Sequence, residues 1–187
     1  MNNNRLLVIG GSAGSLSMVL KIIPLLKKEM NLSLIIIFHR KPSEETALLS
    51  VLSARTTYLV KEADDKDDIL PGMIYVAPAD YHVLIEKDKT ISLDGSEKIN
   101  YSRPSIDVTF ESASEVYGSD LVCILLSGAN ADGMAGLVAA KKAGALIIVQ
   151  DPASAEVPFM PQQAVDNVPV DLLIHENNLN TLSGLFT

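Results

Sequence analysis

One serine in this chain stands out by its surroundings. Ser12 lies in Gly10-Gly-Ser-Ala-Gly14, directly after an apolar run, and reads as G-x-S-x-G through Gly10, Ser12 and Gly14. Flanking glycines keep side chains away and let a serine occupy a sharp strand-to-helix turn with its hydroxyl exposed. A helix following that turn aims backbone N–H groups and a positive dipole end at the place where an oxyanion would form. Two other uses of a glycine-rich turn fail. A dinucleotide site needs G-x-G-x-x-G and an acidic residue ending the second strand, but the third motif position is Ser12 and that strand ends at His39. A P-loop needs a lysine followed by Ser or Thr, and neither is present. A Gly-Ser turn that only packs helix on strand remains the bland alternative at this point.

A serine hydroxyl is a weak nucleophile until a base takes its proton, and histidine is the usual base. His39 is one of three histidines and directly follows the apolar run Leu32 to Phe38. Asp132 lies in Ser127-Gly-Ala-Asn-Ala-Asp-Gly133, after the run Leu121 to Leu126. Taken singly, His39 reads as a half-exposed loop residue and Asp132 as an N-cap before Met134. Together, the three residue types of a triad fall after three strands, where open parallel sheets bind ligands. The pattern predicts a hydrolase with Ser12 as nucleophile, His39 as base and Asp132 orienting the imidazole. The backbone N–H groups of Ala13 and Ala129 are candidate oxyanion donors. The order Ser, His, Asp differs from the Ser, Asp, His of α/β-hydrolases. His82 reads as a surface or supporting residue, His175 as solvent-facing, and Asp107 as a complement to a helix dipole. Cys123, within Leu121-Val-Cys-Ile-Leu-Leu126, reads as buried filler.

The elements that must position these residues alternate between strand and helix, which predicts a three-layer α/β/α domain with a mostly parallel, doubly wound sheet. Strands are expected over Arg5 to Ile9, Leu32 to Phe38, Thr57 to Val60, Met73 to Val76, Leu121 to Leu126 and Ala145 to Val149. Helices are expected from Ser15 into the twenties with Pro24 ending the first, over Glu44 to Leu52 behind Ser43, Ile106 to Val116, Met134 to Ala143 and Pro161 to Asn167. Val83 to Glu86 and Thr90 to Leu93, joined by Lys87-Asp-Lys89, read as an antiparallel hairpin at one edge. A weakly amphipathic segment spans Leu179 to Leu185.

The 187 residues are 48% hydrophobic, with no low-complexity tract and no internal repeat, and are read as one domain over 1–187. A net charge of −8 argues against nucleic acid, which needs a clustered positive surface. No apolar run reaches membrane-spanning length, no signal peptide is evident, and the single cysteine cannot form an internal disulfide, so a cytoplasmic location is expected. The pattern calls for no cofactor and no metal. The acidic stretch Glu62 to Asp68 lacks EF-hand spacing and reads as a solvated turn.

Several blocks in order resemble the chemotaxis receptor methylesterase (CheB) catalytic domain family. They are Ile9-Gly-Gly-Ser-Ala-Gly14, Leu70-Pro-Gly-Met-Ile-Tyr-Val-Ala-Pro-Ala-Asp-Tyr-His82, Arg103-Pro-Ser-Ile-Asp-Val-Thr-Phe110, Leu126-Ser-Gly-Ala-Asn-Ala-Asp-Gly133 and Met160-Pro161. The family's triad falls on Ser12, His39 and Asp132. The resemblance implies hydrolysis of glutamate γ-methyl esters on the cytoplasmic helices of chemoreceptors, releasing methanol, with glutamine deamidation as a related activity. The first strand starts at Arg5 with no receiver domain before it, so the resemblance leaves three expectations open: an excised domain, an unregulated enzyme, or one controlled in trans by a receiver domain or a methyltransferase.

Departures from the family pattern border the cleft. Phe38-His39-Arg40-Lys41-Pro42 stands where the family has Gln-His, an apolar residue and proline. Phe159-Met160-Pro161 replaces Gly-Met-Pro, and Ser15 replaces a glycine of the turn. Arg40, Phe159 and Met160 are therefore the expected cleft residues that bear on substrate fit. Two other readings stay open: a non-catalytic docking domain that keeps the fold, and an esterase for a different substrate.

Overall fold

The computed structural model describes residues 4–39 and 45–186. Seven strands form one sheet in the order β3-β4-β2-β1-β7-β8-β9, with every neighbouring pair parallel. They are β1 (Arg5–Gly11), β2 (Leu32–Phe38), β3 (Leu59–Glu62), β4 (Met73–Val76), β7 (Leu121–Leu125), β8 (Leu146–Gln150) and β9 (Leu172–Ile174). Apart from Arg5, the two central strands, β1 and β2, are buried along their length and, Ser33 aside, carry no polar side chain, because helices cover both faces of the sheet.

Successive side chains along β1 enter opposite layers. Leu7 and Ile9 pack with α1 (Leu16–Ile22), α2 (Glu45–Ser53) and α6 (Thr181–Leu185). Leu6 and Val8 pack with α3 (Ile106–Tyr117), α4 (Met134–Lys142) and α5 (Phe159–Asn167). A Cβ on Gly10 would lie 2.4 Å from Ile106 Cγ2, so the bare glycine lets α3 press against the end of β1.

The predicted hairpin forms from β5 (His82–Ile85) and β6 (Ile91–Asp94) as a separate two-stranded sheet. It does not extend the parallel sheet, because β5 spends backbone groups on α3. Thr109 Oγ1 donates to the Val83 carbonyl (2.7 Å), and the Ile85 N–H donates to Ser112 Oγ (3.0 Å). The short strand β9 was not expected. The helix expected from Pro161 starts two residues earlier, at Phe159. Ser43 lies outside the described residues. In the acidic stretch, Lys61 pairs with both Asp64 and Asp67, and Asp67 Oδ2 also accepts the Asp64 N–H, which makes the turn structural.

The chain leaves β1 toward β2 on one side and later returns to β7 on the other. β1 is therefore the point where strand order reverses, and the crevice beyond its carboxyl end is where such a sheet offers a binding site. Ser12 follows β1, His39 follows β2, and the loop 126–133 follows β7.

Candidate active site

The Ser12 turn is pinned from two sides. The Ser12 N–H donates to the Ser127 carbonyl (2.9 Å), tying the turn to the loop after β7. The Ser12 carbonyl accepts from the Ser15 N–H (3.1 Å) and from Ser15 Oγ (2.6 Å), which closes the turn into α1. Ser15, one of the departures from the family pattern, is thus buried and used locally. Gly14 sits at φ +76°, where a side chain is strained, and a Cβ there would lie 2.6 Å from Glu156 Cβ. Ser127 Oγ donates to the Ala13 carbonyl (2.7 Å) and accepts from the Val157 N–H (2.9 Å), so one hydroxyl links three loops. Gln150 Oε1 in turn accepts the buried Ser127 N–H (2.9 Å).

His39 extends β2, its N–H reaching the Gly11 carbonyl at 3.3 Å. Its Nε2 lies 2.7 Å from Asp132 Oδ2, with the two side chains 11% and 0% exposed. Asp132 is not the N-cap of the helix that follows it. Gly133 holds the N-cap position of α4, and the Asp132 carboxylate instead caps α3 across the loop. Oδ2 accepts from the Ile106 N–H (2.6 Å), and Oδ1 accepts from the Asp107 N–H (3.0 Å) and Ser105 Oγ (2.9 Å). Asp107 returns the service, accepting the Gly136 N–H of α4 on Oδ1 (2.7 Å). The two helices therefore exchange caps.

The electrostatics of the two carboxyls diverge. Burial pushes the Asp132 carboxyl up, but the His39 bond and the Ile106 and Asp107 N–H groups outweigh it and hold the group below its ordinary range. Burial pushes Asp107 up to about 6; the Gly136 N–H opposes this, and the nearby Asp132 charge adds to it. Asp132 is the carboxylate that stays ionised beside the imidazole. With an ionised acceptor at Nε2, the neutral ring carries its proton there and leaves Nδ1 as a bare lone pair. This is the reverse of the serine-protease ring orientation, in which Nδ1 faces the aspartate.

Nδ1 faces Ser102 Oγ at 3.3 Å. Ser102 also accepts from Asn130 Nδ2 (3.3 Å), and Asn100 Nδ2 reaches both Asp107 Oδ2 (2.9 Å) and Asp132 Oδ1 (3.4 Å). Among the described residues, no hydrogen bond joins Ser12 Oγ to His39; the two meet as walls of one cleft. Ser102, Ser105, Asn100 and Asn130 were not singled out in the sequence. The only signal for them was their position within or beside the Arg103-Pro-Ser and Gly-Ala-Asn-Ala-Asp blocks. His82, read as a surface or supporting residue, is 1% exposed. Its Nδ1 accepts the Ser105 N–H (3.0 Å) and its Nε2 meets the Glu97 carbonyl (2.9 Å), so it shapes the start of α3.

The cleft encloses about 540 Å³ between α1 and α2, lined by Ser12, His39, Leu16, Leu48, Val51 and Glu156 among others. Ala13 and Ala129 are exposed, and neither N–H has a hydrogen-bond partner among the described residues. Phe159 and Met160 part company. Phe159 is half exposed, whereas Met160 is fully buried under Gly128, where a Cβ would lie 2.5 Å from Met160 Cε. Met160 is therefore a support beneath the site and not a rim residue. Arg40 lies outside the described residues. Among the described residues, no cluster of three or more His, Cys, Asp or Glu could hold a metal, and no helix is long and apolar enough to cross a membrane.

A serine hydroxyl shares one cleft with an imidazole–carboxylate pair at the carboxyl ends of parallel strands, the set of groups that an acyl hydrolase on an open parallel α/β sheet would use. Residues 7–181 match the CheB methylesterase family, and the chain belongs to that family. It is 41% identical over 184 residues to a Leptospira interrogans protein provisionally designated a protein-glutamate methylesterase/protein-glutamine glutaminase, covering 98% of this chain and 94% of that one. It is 30% identical to the protein-glutamate methylesterase/protein-glutamine glutaminase of Thermotoga maritima over 92% of this chain, which spans about half (51%) of that relative. The crystal structure of the Thermotoga maritima CheB methylesterase catalytic domain is similar at a TM-score of 0.92 and 29% identity, covering 99% of this chain and 100% of that one.

Proposed function

We propose that the chain hydrolyses γ-methyl esters of glutamate on the cytoplasmic helices of methylated chemoreceptors, releasing methanol, with Ser12, His39 and Asp132 as its triad. The observation that carries this reading is the 2.7 Å His39–Asp132 bond, buried on its carboxylate side, opening onto the same cleft as Ser12. His39 Nδ1 takes the Ser12 proton as the hydroxyl attacks the ester carbonyl. The N–H groups of Ala13 and Ala129 hold the oxyanion. The imidazolium passes the proton to the departing methoxide, and water activated by the same Nδ1 then frees the glutamate. Asp132 stays ionised, fixes the tautomer and stabilises the imidazolium. Glutamine side chains enter the same sequence with ammonia leaving, in keeping with the glutaminase names of the relatives.

The cytoplasm is the compartment this substrate requires. A receiver domain or a methyltransferase acting in trans would supply control. Phe159, half exposed where the family carries glycine, keeps an esterase for a different substrate as the second reading.

The test is methanol release from methylated receptor, measured beside hydrolysis of simple aryl esters. Ser12→Ala is expected to lower turnover by about 10⁴-fold or more. Wild-type turnover in that variant refutes the triad. Aryl ester hydrolysis without methanol release from receptor refutes the substrate and favours the second reading. Failure of a serine-directed phosphonate to label Ser12 favours a docking domain.

A further inference from the structure

The nitrogen that must accept the Ser12 proton already has a partner in this structure, and that partner is a different serine. With Nε2 committed to Asp132, Nδ1 is the ring's one acceptor, and it faces Ser102 Oγ at 3.3 Å. The direction of that bond is fixed by what surrounds Ser102. Asn130 Nδ2 donates to Ser102 Oγ (3.3 Å), which fills one lone pair and leaves the hydroxyl hydrogen to be placed. Its two acceptors are Nδ1 at 3.3 Å and the Asn100 carbonyl at 3.5 Å, and the nearer is Nδ1.

Ser102 is presented by a tight two-residue turn. Ile99 and Ser102 pair through both backbone bonds (3.1 and 2.9 Å), and the two residues between them sit in the left-handed region, Asn100 at φ 50° and Tyr101 at φ 62°. Two adjacent non-glycine residues there are uncommon, and such strain collects at functional sites. Asn100 additionally ties the turn to both Asp107 and Asp132.

We propose that Ser102 is a positioning residue that holds Nδ1 of His39 in the resting enzyme and releases it to Ser12 when substrate enters. The inference rests on the reading of Ser12 and His39 as nucleophile and base. A 3.3 Å contact is long for a hydroxyl donor, so the exchange from one hydroxyl to the other is cheap. In the resting state it holds the ring in its observed orientation.

Two measurements on the intact chain test this. Nitrogen NMR of the His39 ring reports which hydroxyl occupies Nδ1. Ser102→Ala is expected to move the Nδ1 signal toward that of an unbonded imine nitrogen, and Ser12→Ala to leave it in place. Labelling of Ser12 by a small phosphonate, which needs no receptor, is expected to run about twofold faster in Ser102→Ala, the low end of what one competing neutral hydrogen bond is worth. Ser102→Thr keeps the hydroxyl and is expected to keep both the wild-type signal and the wild-type rate, which separates loss of the bond from damage to the turn. An Nδ1 signal that responds to Ser12→Ala and not to Ser102→Ala overturns the proposal, as does labelling of Ser102→Ala no faster than wild type. Continued labelling of the chain in Ser12→Ala refutes the underlying assignment of the nucleophile instead.

Discussion

Replacing Asp132 by asparagine separates what the carboxylate does for the fold from what it does for chemistry. Five donors converge on its two oxygens: His39 Nε2, the Ile106 and Asp107 N–H groups, Ser105 Oγ and Asn100 Nδ2. Asparagine keeps the shape but offers one oxygen, so its amide nitrogen must confront at least one α3 N–H that then has no acceptor. Loss of the cap costs about 1 kcal/mol, loss of the charge at the helix N-terminus about 0.3–1, and the orphaned N–H about 1–3. The sum is roughly 2–5 kcal/mol, read as a shift of the urea midpoint at pH 7. Turnover falls by about two to four powers of ten, because the imidazolium loses its countercharge and the ring loses the partner that fixes its tautomer. His39→Gln is the control: it should abolish activity while leaving stability nearly unchanged, since α3 keeps its cap. In the fold the Asp132 carboxyl titrates below its ordinary value. Its contribution is therefore present above about pH 4 and is lost as pH falls through the lower folded value. The stability deficit of Asp132→Asn should accordingly shrink in acid. A variant within tenfold of wild-type turnover, or one destabilised by less than about 0.5 kcal/mol, would refute the double role.

Asp107 makes the opposite prediction. Its carboxyl titrates at about 6 in the fold, so its ionisation opposes folding above that pH, and the penalty is relieved as pH falls from 6 toward 4. Urea unfolding of the wild type should show this gain of roughly 2–3 kcal/mol, and Asp107→Asn should lose most of it. Gly128→Ala places a methyl 2.5 Å from Met160 Cε and 3.1 Å from Ser12 Cβ. The methionine end can yield at a cost of about 1–2 kcal/mol, but displacement of Ser12 should lower kcat about tenfold or more, so kinetics should suffer more than melting. Ser127→Ala removes the hydroxyl shared by Ala13 and Val157 and leaves the Val157 N–H without it. A loss of about 1–3 kcal/mol in chemical denaturation and slower phosphonate labelling of Ser12 are expected.

The sheet was legible because its central strands are buried on both faces and leave apolar runs, as Leu34 to Phe38 does. Strand β9 was not, since three residues after Pro169 carry too little pattern to separate from a loop. The hairpin was legible as two paired strands, but not in its placement, which depends on Thr109 and Ser112 of a helix reaching back to it. In the site, Ser12, His39 and Asp132 were visible because residue type and strand-end position are both local facts. Taken singly, Asp132 read as a cap of the helix it precedes, because the sequence shows only that helix and not α3 across the loop. Ser102 and Ser105 carry no signal of their own in the sequence, and His82 read as a surface or supporting residue with no partner named. Their roles come from loops folded onto one another across 23 to 63 residues of chain.

The exchanged caps of α3 and α4 bear on how inactive descendants of such an enzyme should look. Asp132 is held by two demands, so a lineage that abandons catalysis still needs it to start α3, whereas Ser12 and His39 become free to drift. An aspartate at this position therefore says little about whether a relative still works. A serine and a histidine kept together at positions 12 and 39 say much more, and genome surveys for working copies should weigh that pair first.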